Sequence, residues 1–533
     1  MDRSLYLINP KSELPSYFGA ESFAHFGLPA TQSIADLCTA TVAAMAPREW
    51  RVEICDEYVD PIDFDHPAEW IGLTGKITQG SRMLQVADEF RRRGKRVVIG
   101  GPYASLSPEV FVGRCDVLVV GEMEEMAPRL FADLASGDFR DRYEAGEKPD
   151  LTLSPRPRWD LYPNDRALFG CVQTSRGCPF ECEFCDVIEY LGRKQRHKSL
   201  EQITAELDAL YDLGYRQIFL ADDNFTAYRK RAKAILARIA EWNRERAEDP
   251  VAFGTQVSID AARDAEIMSL SAEAGMTWVF IGIETPNEES LRETKKRQNL
   301  GVDLRSQVEV FLEHGIAVTG GMIVGFDHDG LDIFERQHDF AMSLPVPMFS
   351  LGALVAPAAT PLFDRLRGSG RLVEGGTEVA ATPWDTNILP TRMTRDQLLQ
   401  GLRWLCNRLY RPQAFAERVL RMIDALGPYR GPSPEPGRPV RRTRRTVEAE
   451  MLVMLKKLIR RGPEERRMWA EVSHAMAAKP EAEPLVLNQL VQYAQVRCLY
   501  ETGSFWEPRV AERMPDLGEP PPERLVGLGS SPT

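Results

Sequence analysis

The segment SRGCPFECEFCDV, residues 175–187, places Cys178, Cys182 and Cys185 within eight positions, three of the nine cysteines of the chain. Gly177 and Pro179 interrupt regular structure, so the C-x-x-x-C-x-x-C spacing belongs to a loop. The loop follows a β-rich run, FGCVQTS at 169–175. Five more such runs come after it: RQIFLADDNF (216–225), FGTQVSID (253–260), TWVFIGIE (277–284), AVTGGMIVGF (317–326) and FSLGALVAP (349–357). Helical patterns lie between them. In SLEQITAELDALYDLG, Ser199 and Gln202 predict a capping box. Six β/α units at a spacing of about 30–40 residues predict a partial TIM-type barrel, with the cysteines on its C-terminal face. Periodicity alone also admits a doubly wound sheet.

What three crowded thiols hold depends on their compartment. The N-terminus MDRSLYLINP reads as a strand and lacks the regions of a secretory signal. No stretch reaches the roughly 18 apolar residues of a membrane span. The expected location is therefore the cytoplasm, where clustered thiols bind metal or react. Cys38, Cys55, Cys115, Cys171, Cys406 and Cys498 are scattered and read as small core residues. Structural zinc takes four ligands, commonly in paired knuckles, and no second C-x-x-C or H-x-x-x-H partner stands nearby. A [4Fe–4S] cluster normally takes four cysteines, so three leave one iron open to an exogenous ligand. The odd count points to catalysis, with Phe184 as an aromatic wall. The net charge of −12 argues against a nucleic-acid partner.

A second α/β unit precedes the barrel. SLYLINP (4–10), RVEICDEY (51–58), WIGLTG (70–75), KRVVIGGP (95–102) and DVLVVGE (116–122) are strand-like, and GSRMLQVADEFRRRG (80–94) is helical. This pattern predicts a Rossmann-like parallel sheet whose Gly75, Gly100, Gly101 and Gly121 fall at the strand ends where ligands bind. The Pro-rich KPDLTLSPRPRWDLYP (148–163) is a connector. From about residue 391 the chain turns helical, and TVEAEMLVMLKKLIRR carries Met451, Leu452, Leu455, Leu458 and Ile459 as an apolar stripe. GPYRGPSPEPGRPVRRTRR (427–445) reads as a loop. The expected organisation is α/β: a Rossmann-like domain over 1–145, a linker over 146–165, the barrel over 166–390, a helical domain over 391–515 and a disordered tail over 516–533.

Cys178, Cys182 and Cys185 with Phe184 resemble the C-x-x-x-C-x-aromatic-C motif of radical S-adenosylmethionine (SAM) enzymes. GRKQRHKS, IFLADDNFT, GIETP and GGMIVGFD follow in that family's order, and VVIGGPYA with VVGEMEEM resembles the cobalamin-binding domain often fused ahead of it. The resemblance implies three cofactors: a [4Fe–4S] cluster on the cysteines, SAM on its open iron, and cobalamin on the first sheet. It also implies roles. Asp222 and Asp223 stand where the family binds the SAM amino group, with a helix N-cap as the plain alternative. Glu284 is a candidate for ribose hydroxyls, Gly320, Gly321 and Gly325 for close backbone approach, and Arg196 for a carboxylate of SAM or substrate. Thr74, Gly100, Gly101, Pro102, Gly121 and Glu122 match positions facing the corrin and its nucleotide tail. The D-x-H-x-x-G signature is absent, so the lower face of cobalt is expected to lack histidine. In APAATPL, Ala359 replaces a glycine of the family pattern.

The resemblance, including a looser one of the helical region to hopanoid C-methylases, implies C-methylation of an unactivated carbon in a small molecule or lipid. It further implies an external electron donor such as a flavodoxin or ferredoxin. The basic stretch 438–461 is compatible with peripheral membrane contact. Cyclisation, oxidation or rearrangement is the alternative reaction. A non-catalytic cobalamin and iron–sulfur regulator is the alternative class.

Overall fold

The structure, a computed structural model, describes residues 3–13, 15–373, 384–433 and 445–520. Much of the loop expected at 427–445 and of the tail expected at 516–533 lies outside the described residues.

The first part of the chain gives β1 (Ser4–Asn9), β2 (Gln32–Ile34), β3 (Arg51–Asp56), β4 (Trp70–Thr74), β5 (Arg96–Gly100), β6 (Val117–Val120) and β7 (Arg142–Glu144). Six of these form a parallel sheet in the order β3-β1-β4-β5-β6-β7. β1, β4 and β6 are buried along their whole length, as parallel strands covered on both faces must be. The chain direction across the sheet reverses at β1, which has β3 on one side and β4 on the other. Ligands in open α/β sheets sit at such a switch point, beyond the carboxyl ends of its strands. Here those ends are Asn9 and Thr74.

β2 leaves this sheet. It pairs in parallel with β8 (Ala167–Val172) and so extends the second sheet. Its sequence, Gln-Ser-Ile, is half-buried and too short to carry a pattern. A small antiparallel hairpin, β9 (Ser175–Arg176) with β10 (Arg196–His197), stands beside the cysteine loop. The rest of the second sheet is β11 (Gln217–Leu220), β12 (Ala252–Gln256), β13 (Met276–Glu284), β14 (Ala317–Val324) and β15 (Met348–Ala353). Its order, β15-β14-β13-β12-β11-β8-β2, runs sequentially from β8 onward. A doubly wound sheet would reverse, so the curled half-barrel is the outcome. The capping box forms as expected: Gln202 N donates to Ser199 Oγ at 3.1 Å, and Ser199 N to Gln202 Oε1 at 2.9 Å.

The helical region supplies Arg395–Leu409, Pro412–Ala425, Arg445–Ile459, Pro463–Ala478 and Glu483–Thr502. The last helix bridges the two free edges of the half-barrel. On one edge, Tyr17 Oη contacts Tyr500 Oη at 3.0 Å and donates to Leu351 O of β15 at 2.8 Å. On the other, Gln495 Nε2 donates to Ser33 Oγ of β2 at 3.0 Å. In Arg445–Ile459 the buried stripe is Met454, Leu455 and Leu458, while Leu452, read as part of it, is 48% exposed. No helix among the described residues is long and apolar enough to cross a membrane.

Ala359 adopts the left-handed conformation, with φ 68°. That backbone costs an L-residue roughly 1–2 kcal/mol, which explains why glycine suits this turn. The turn is kept by its hydrogen bonds: Thr360 N donates to Pro357 O at 3.2 Å, and Thr360 Oγ1 to the same oxygen at 2.6 Å.

Candidate active site

The cysteine loop leaves β9 through Gly177, whose φ is 96°. A Cβ there would lie 2.7 Å from Lys194 O and 2.9 Å from Gly192 O, so only glycine fits. Cys178 N donates to Gly192 O at 3.2 Å, and Cys185 N to Cys182 O at 3.1 Å. Burial pushes the Cys185 thiol up to about 12, with further contributions from Asp186, Cys182 and Cys178. Burial also raises Cys178, and Cys182 adds to it. The three sulfurs thus lie within each other's field in a site that resists their ionisation. A cationic centre is what makes three adjacent thiolates stable, and releases their protons on binding. The donor set fits an iron–sulfur cluster. Phe184 is half-buried, with its ring 6.2 Å from that of Phe326.

Asp222 and Asp223 follow β11, as expected, but they brace the loop. Asp222 is fully buried and accepts from Thr174 Oγ1 at 3.0 Å, from Ser175 Oγ at 2.6 Å and from Ser175 N. Asp223 Oδ2 accepts from Gly177 N at 2.8 Å. Neither caps a helix, since the next one begins at Arg229. Burial raises Asp222 to about 7 and Asp223 to about 6. Among the described residues no hydrogen bond reaches Asp223 Oδ1, so that oxygen is the one available to an ammonium group.

Glu284 ends β13 with φ 65°, beside a register shift in the β13–β14 ladder. Strained backbone of this kind costs about 1–3 kcal/mol and collects at functional sites. Its Oε1 accepts from Lys296 Nζ at 2.7 Å. Lys296 was not singled out from the sequence. It is buried, and its charge is held on by Glu284 and then by Cys182 and Cys185, against the cost of burial. Gln298 Nε2 lies 3.6 Å from Cys182 Sγ.

The glycines of β14 make room for protein rings. A Cβ on Gly320 would meet Phe349 at 2.6 Å, and one on Gly321 would meet Phe280 at 2.9 Å. Gly325, with φ 103°, turns against Leu398. The expectation of backbone opened toward SAM is corrected to this extent: packing alone accounts for all three.

On the first sheet, Thr74, Gly100, Gly101, Pro102, Gly121 and Glu122 line up along the carboxyl ends of β4, β5 and β6. Gly101 has φ 94°, and a Cβ would strike Thr74 Oγ1 at 2.3 Å. Pro102 opens the helix Pro102–Leu106, and Tyr103 N ties it to Gly75 O at 3.1 Å. Gly121, with φ 92°, borders a cavity of about 150 Å³ shared with Ser105, Ala145, Lys148 and, from the barrel side, Tyr190.

Two expectations change where the sheets meet. Arg196 does not offer its guanidinium to a ligand. It donates to Glu122 Oε1 at 2.9 Å and Oε2 at 3.1 Å, to Pro149 O at 2.8 Å and to Leu191 O at 3.0 Å. Glu122 correspondingly does not face a corrin: it also takes Arg176 Nη1 at 2.7 Å, and that nitrogen reaches Glu124 Oε1 at 2.7 Å. The side chains of Glu122 and Glu124 are only 2% and 1% exposed. Arg176 stood in the quoted motif and was missed because nothing local marks a charge that is buried by another domain.

A second cluster, also missed, clamps the cysteine loop from outside. Arg365 grips Glu183 through Nε and Nη2 at 2.8 and 3.0 Å, and reaches Asp327 at 2.6 Å and Glu293 at 3.1 Å. Arg371 also pairs with Asp327. Three carboxyls share two guanidiniums, and Glu293 Oε2 has no partner. Burial and repulsion from Asp327 push Glu293 up to about 8. Hydrogen bonds from Arg371 and Arg365 outweigh burial and hold Asp327 below the usual range. Because Glu293 is raised from 4.5, its contribution to stability is complete below about pH 4.5 and fades as pH rises through 8. Glu293→Gln is therefore expected to flatten the loss of thermal midpoint between pH 7 and 9, read by melting curves of both proteins across that range. Parallel curves would refute the assignment.

Comparisons with known proteins agree with this architecture. A family model described as the radical SAM superfamily matches residues 172–341, and one described as a domain of unknown function (DUF4070) matches 360–499. An uncharacterized methyltransferase of Synechocystis sp. is 36% identical over 396 residues, 73% of each chain. The hopanoid C-2 methylase of Rhodopseudomonas palustris is 31% identical over 384 residues, 71% of each chain. Among solved structures, the cobalamin-dependent S-adenosylmethionine radical enzyme OxsB, with aqua-cobalamin and S-adenosylmethionine bound, superposes with a TM-score of 0.59. That match has 15% identity and covers 94% of this chain and 80% of the other, a likeness of fold. The three-cysteine loop on a sequential half-barrel and the extent of these matches together show that the chain is an enzyme of the radical SAM superfamily.

Proposed function

We propose that the protein is a cobalamin-dependent radical SAM C-methyltransferase acting on an unactivated carbon of a small molecule, with an isoprenoid lipid the leading class. The observation that carries this reading is the placement of two ligand-binding edges against each other. The carboxyl ends of β4 to β6, at a switch point, are joined to the cysteine loop through the buried contacts of Arg176 and Arg196 with Glu122 and Glu124. The names of the relatives matched over most of the chain support methyl transfer, and the hopanoid relative supports the lipid class.

The cofactors, when bound, supply one-electron reduction of a sulfonium, hydrogen abstraction and methyl delivery. The chain's own residues do the rest. Cys178, Cys182 and Cys185 hold the cluster and leave one position free. Asp223 Oδ1 takes an ammonium. Glu284, oriented by Lys296, accepts from hydroxyls. Helix Glu483–Thr502 closes the open side of the half-barrel against water. The first sheet's edge takes the corrin. His66 stacks on Tyr6 at 4.0 Å and His25 meets Glu501 at 3.2 Å, so neither stands at that edge. This supports a cobalt whose lower face lacks histidine.

Anaerobic reconstitution with iron, sulfide and hydroxocobalamin, followed by SAM and a panel of polycyclic isoprenoids, tests the reading. The expected result is one cobalamin per chain, as about one equivalent, and a product heavier by one methylene. A protein that retains no corrin, or a product cyclised or oxidised without added carbon, would overturn it.

A further inference from the structure

The wall between Cys182 and solvent is one side chain thick. Glu183 N donates to Thr294 O at 3.0 Å, which lays residues 294–299 against the cysteine loop. Lys295 adopts φ 58°, and this left-handed turn separates two faces of a basic run. Lys296 and Gln298 point inward, to Glu284 and to the sulfur of Cys182. Lys295 and Arg297 are exposed. Arg193 and Lys194, also exposed, arrive from the other side of the loop, where Arg193 pairs with Glu181. Glu181 is held below the usual carboxylate range first by Arg193, with Arg297 and Lys295 also acting on it. Among the described residues no ion pair engages Lys194, Lys295 or Arg297. Four cations around one carboxylate thus lie over the cysteine loop of a chain whose net charge is −12. Like charges so grouped repel one another, and an acidic chain gains nothing in solubility from them.

We infer that Arg193, Lys194, Lys295 and Arg297 form the docking surface for an acidic one-electron carrier protein of the flavodoxin type. The inference rests on the proposed function, which requires that the cysteine-held centre be reduced. At this surface the carrier is oxidised by one electron and the iron–sulfur centre is reduced by one, with no bond made or broken. Charge complementarity steers the approach, and Gln298 and Cys182 give the shortest covalent and van der Waals route inward.

Reduced flavodoxin is the probe. Two double variants, Lys295→Glu/Arg297→Glu and Arg193→Glu/Lys194→Glu, are compared with wild type by stopped-flow bleaching of the reconstituted cluster. Each flavodoxin rate is divided by the same protein's rate with dithionite, which removes effects on folding or cluster loading. Each double variant is expected to lower that ratio about tenfold or more at low ionic strength, and high salt should close the gap. An equal charge change elsewhere, Lys456→Glu/Arg460→Glu, should leave it within about twofold. A ratio unchanged in the first two variants, or lowered as much in the third, overturns the surface. Calorimetric binding of flavodoxin to each apo chain decides the same question without activity. If wild type holds no cluster that dithionite reduces, the proposed function fails, while the binding measurement still judges the surface.

Discussion

Replacing Arg176 with alanine is expected to lower the thermal midpoint of the protein by at least about 5 °C. The reason is a stranded charge. Arg176 Nη1 lies 2.7 Å from both Glu122 Oε2 and Glu124 Oε1. Glu122 keeps Arg196, but the other oxygen of Glu124 already has no partner. Truncation would leave Glu124 buried and ionised with nothing beside it. Removing one member of a buried pair typically costs about 3–5 kcal/mol, more than the pair itself contributes, because of that uncompensated charge. The argument makes a second claim. Arg176→Met combined with Glu124→Gln removes the charge along with its partner, and should recover at least half of the lost midpoint. Because the two residues bridge the first sheet and the hairpin before Cys178, limited proteolysis should cut the linker region faster in the single variant. A single variant that melts within about 1 °C of wild type would show that the network is solvated and does not join the two sheets.

Cys182→Ala is expected to reduce bound iron from about four per chain to less than one and to abolish SAM cleavage. Two cysteines cannot hold a cube of iron and sulfide whose remaining corner must stay free. The same substitution should leave the apo protein nearly as stable as wild type. Cys182 is 7% exposed and its sulfur makes only a long contact with Gln298. Loss of iron with an unchanged apo melting curve is thus the signature of a ligand, whereas a joint fall in both would indicate a core residue. Retention of full iron and normal cleavage would remove the cysteines from the site. Zinc in the wild-type protein in place of iron would remove the radical chemistry with it.

The two predictions draw on opposite kinds of information. Cys182 announces itself by spacing, since thiols in a reducing compartment have few reasons to crowd. Arg176, two residues before Cys178, looks like any loop arginine. Its partners lie more than fifty positions earlier, on the end of β6, and no local pattern links them. The basic run 295–297 shows the same limit. Three consecutive cations read as a solvated face, yet Lys296 is turned inward to Glu284 by one left-handed residue. Arg196 was assigned to a ligand because its charge was visible and Glu122, which consumes it, was assigned elsewhere. The glycines of β14 were legible as positions without side chains, but not the rings of Phe349 and Phe280 that fill the space.

By itself the sequence determined the two parallel sheets, every strand of the half-barrel from β8 to β15, and the three-thiol loop on its C-terminal face. Those follow from apolar runs, turn residues and short spacings, which act over a few neighbouring residues. Tertiary structure alone decided that β2 crosses to the barrel, that Glu483–Thr502 spans its open side, and that two buried ion clusters fix the cysteine loop. The physical reason is that a charge is stabilised by whatever the fold brings within a few ångströms, whereas a strand or a turn is stabilised largely by its own residues.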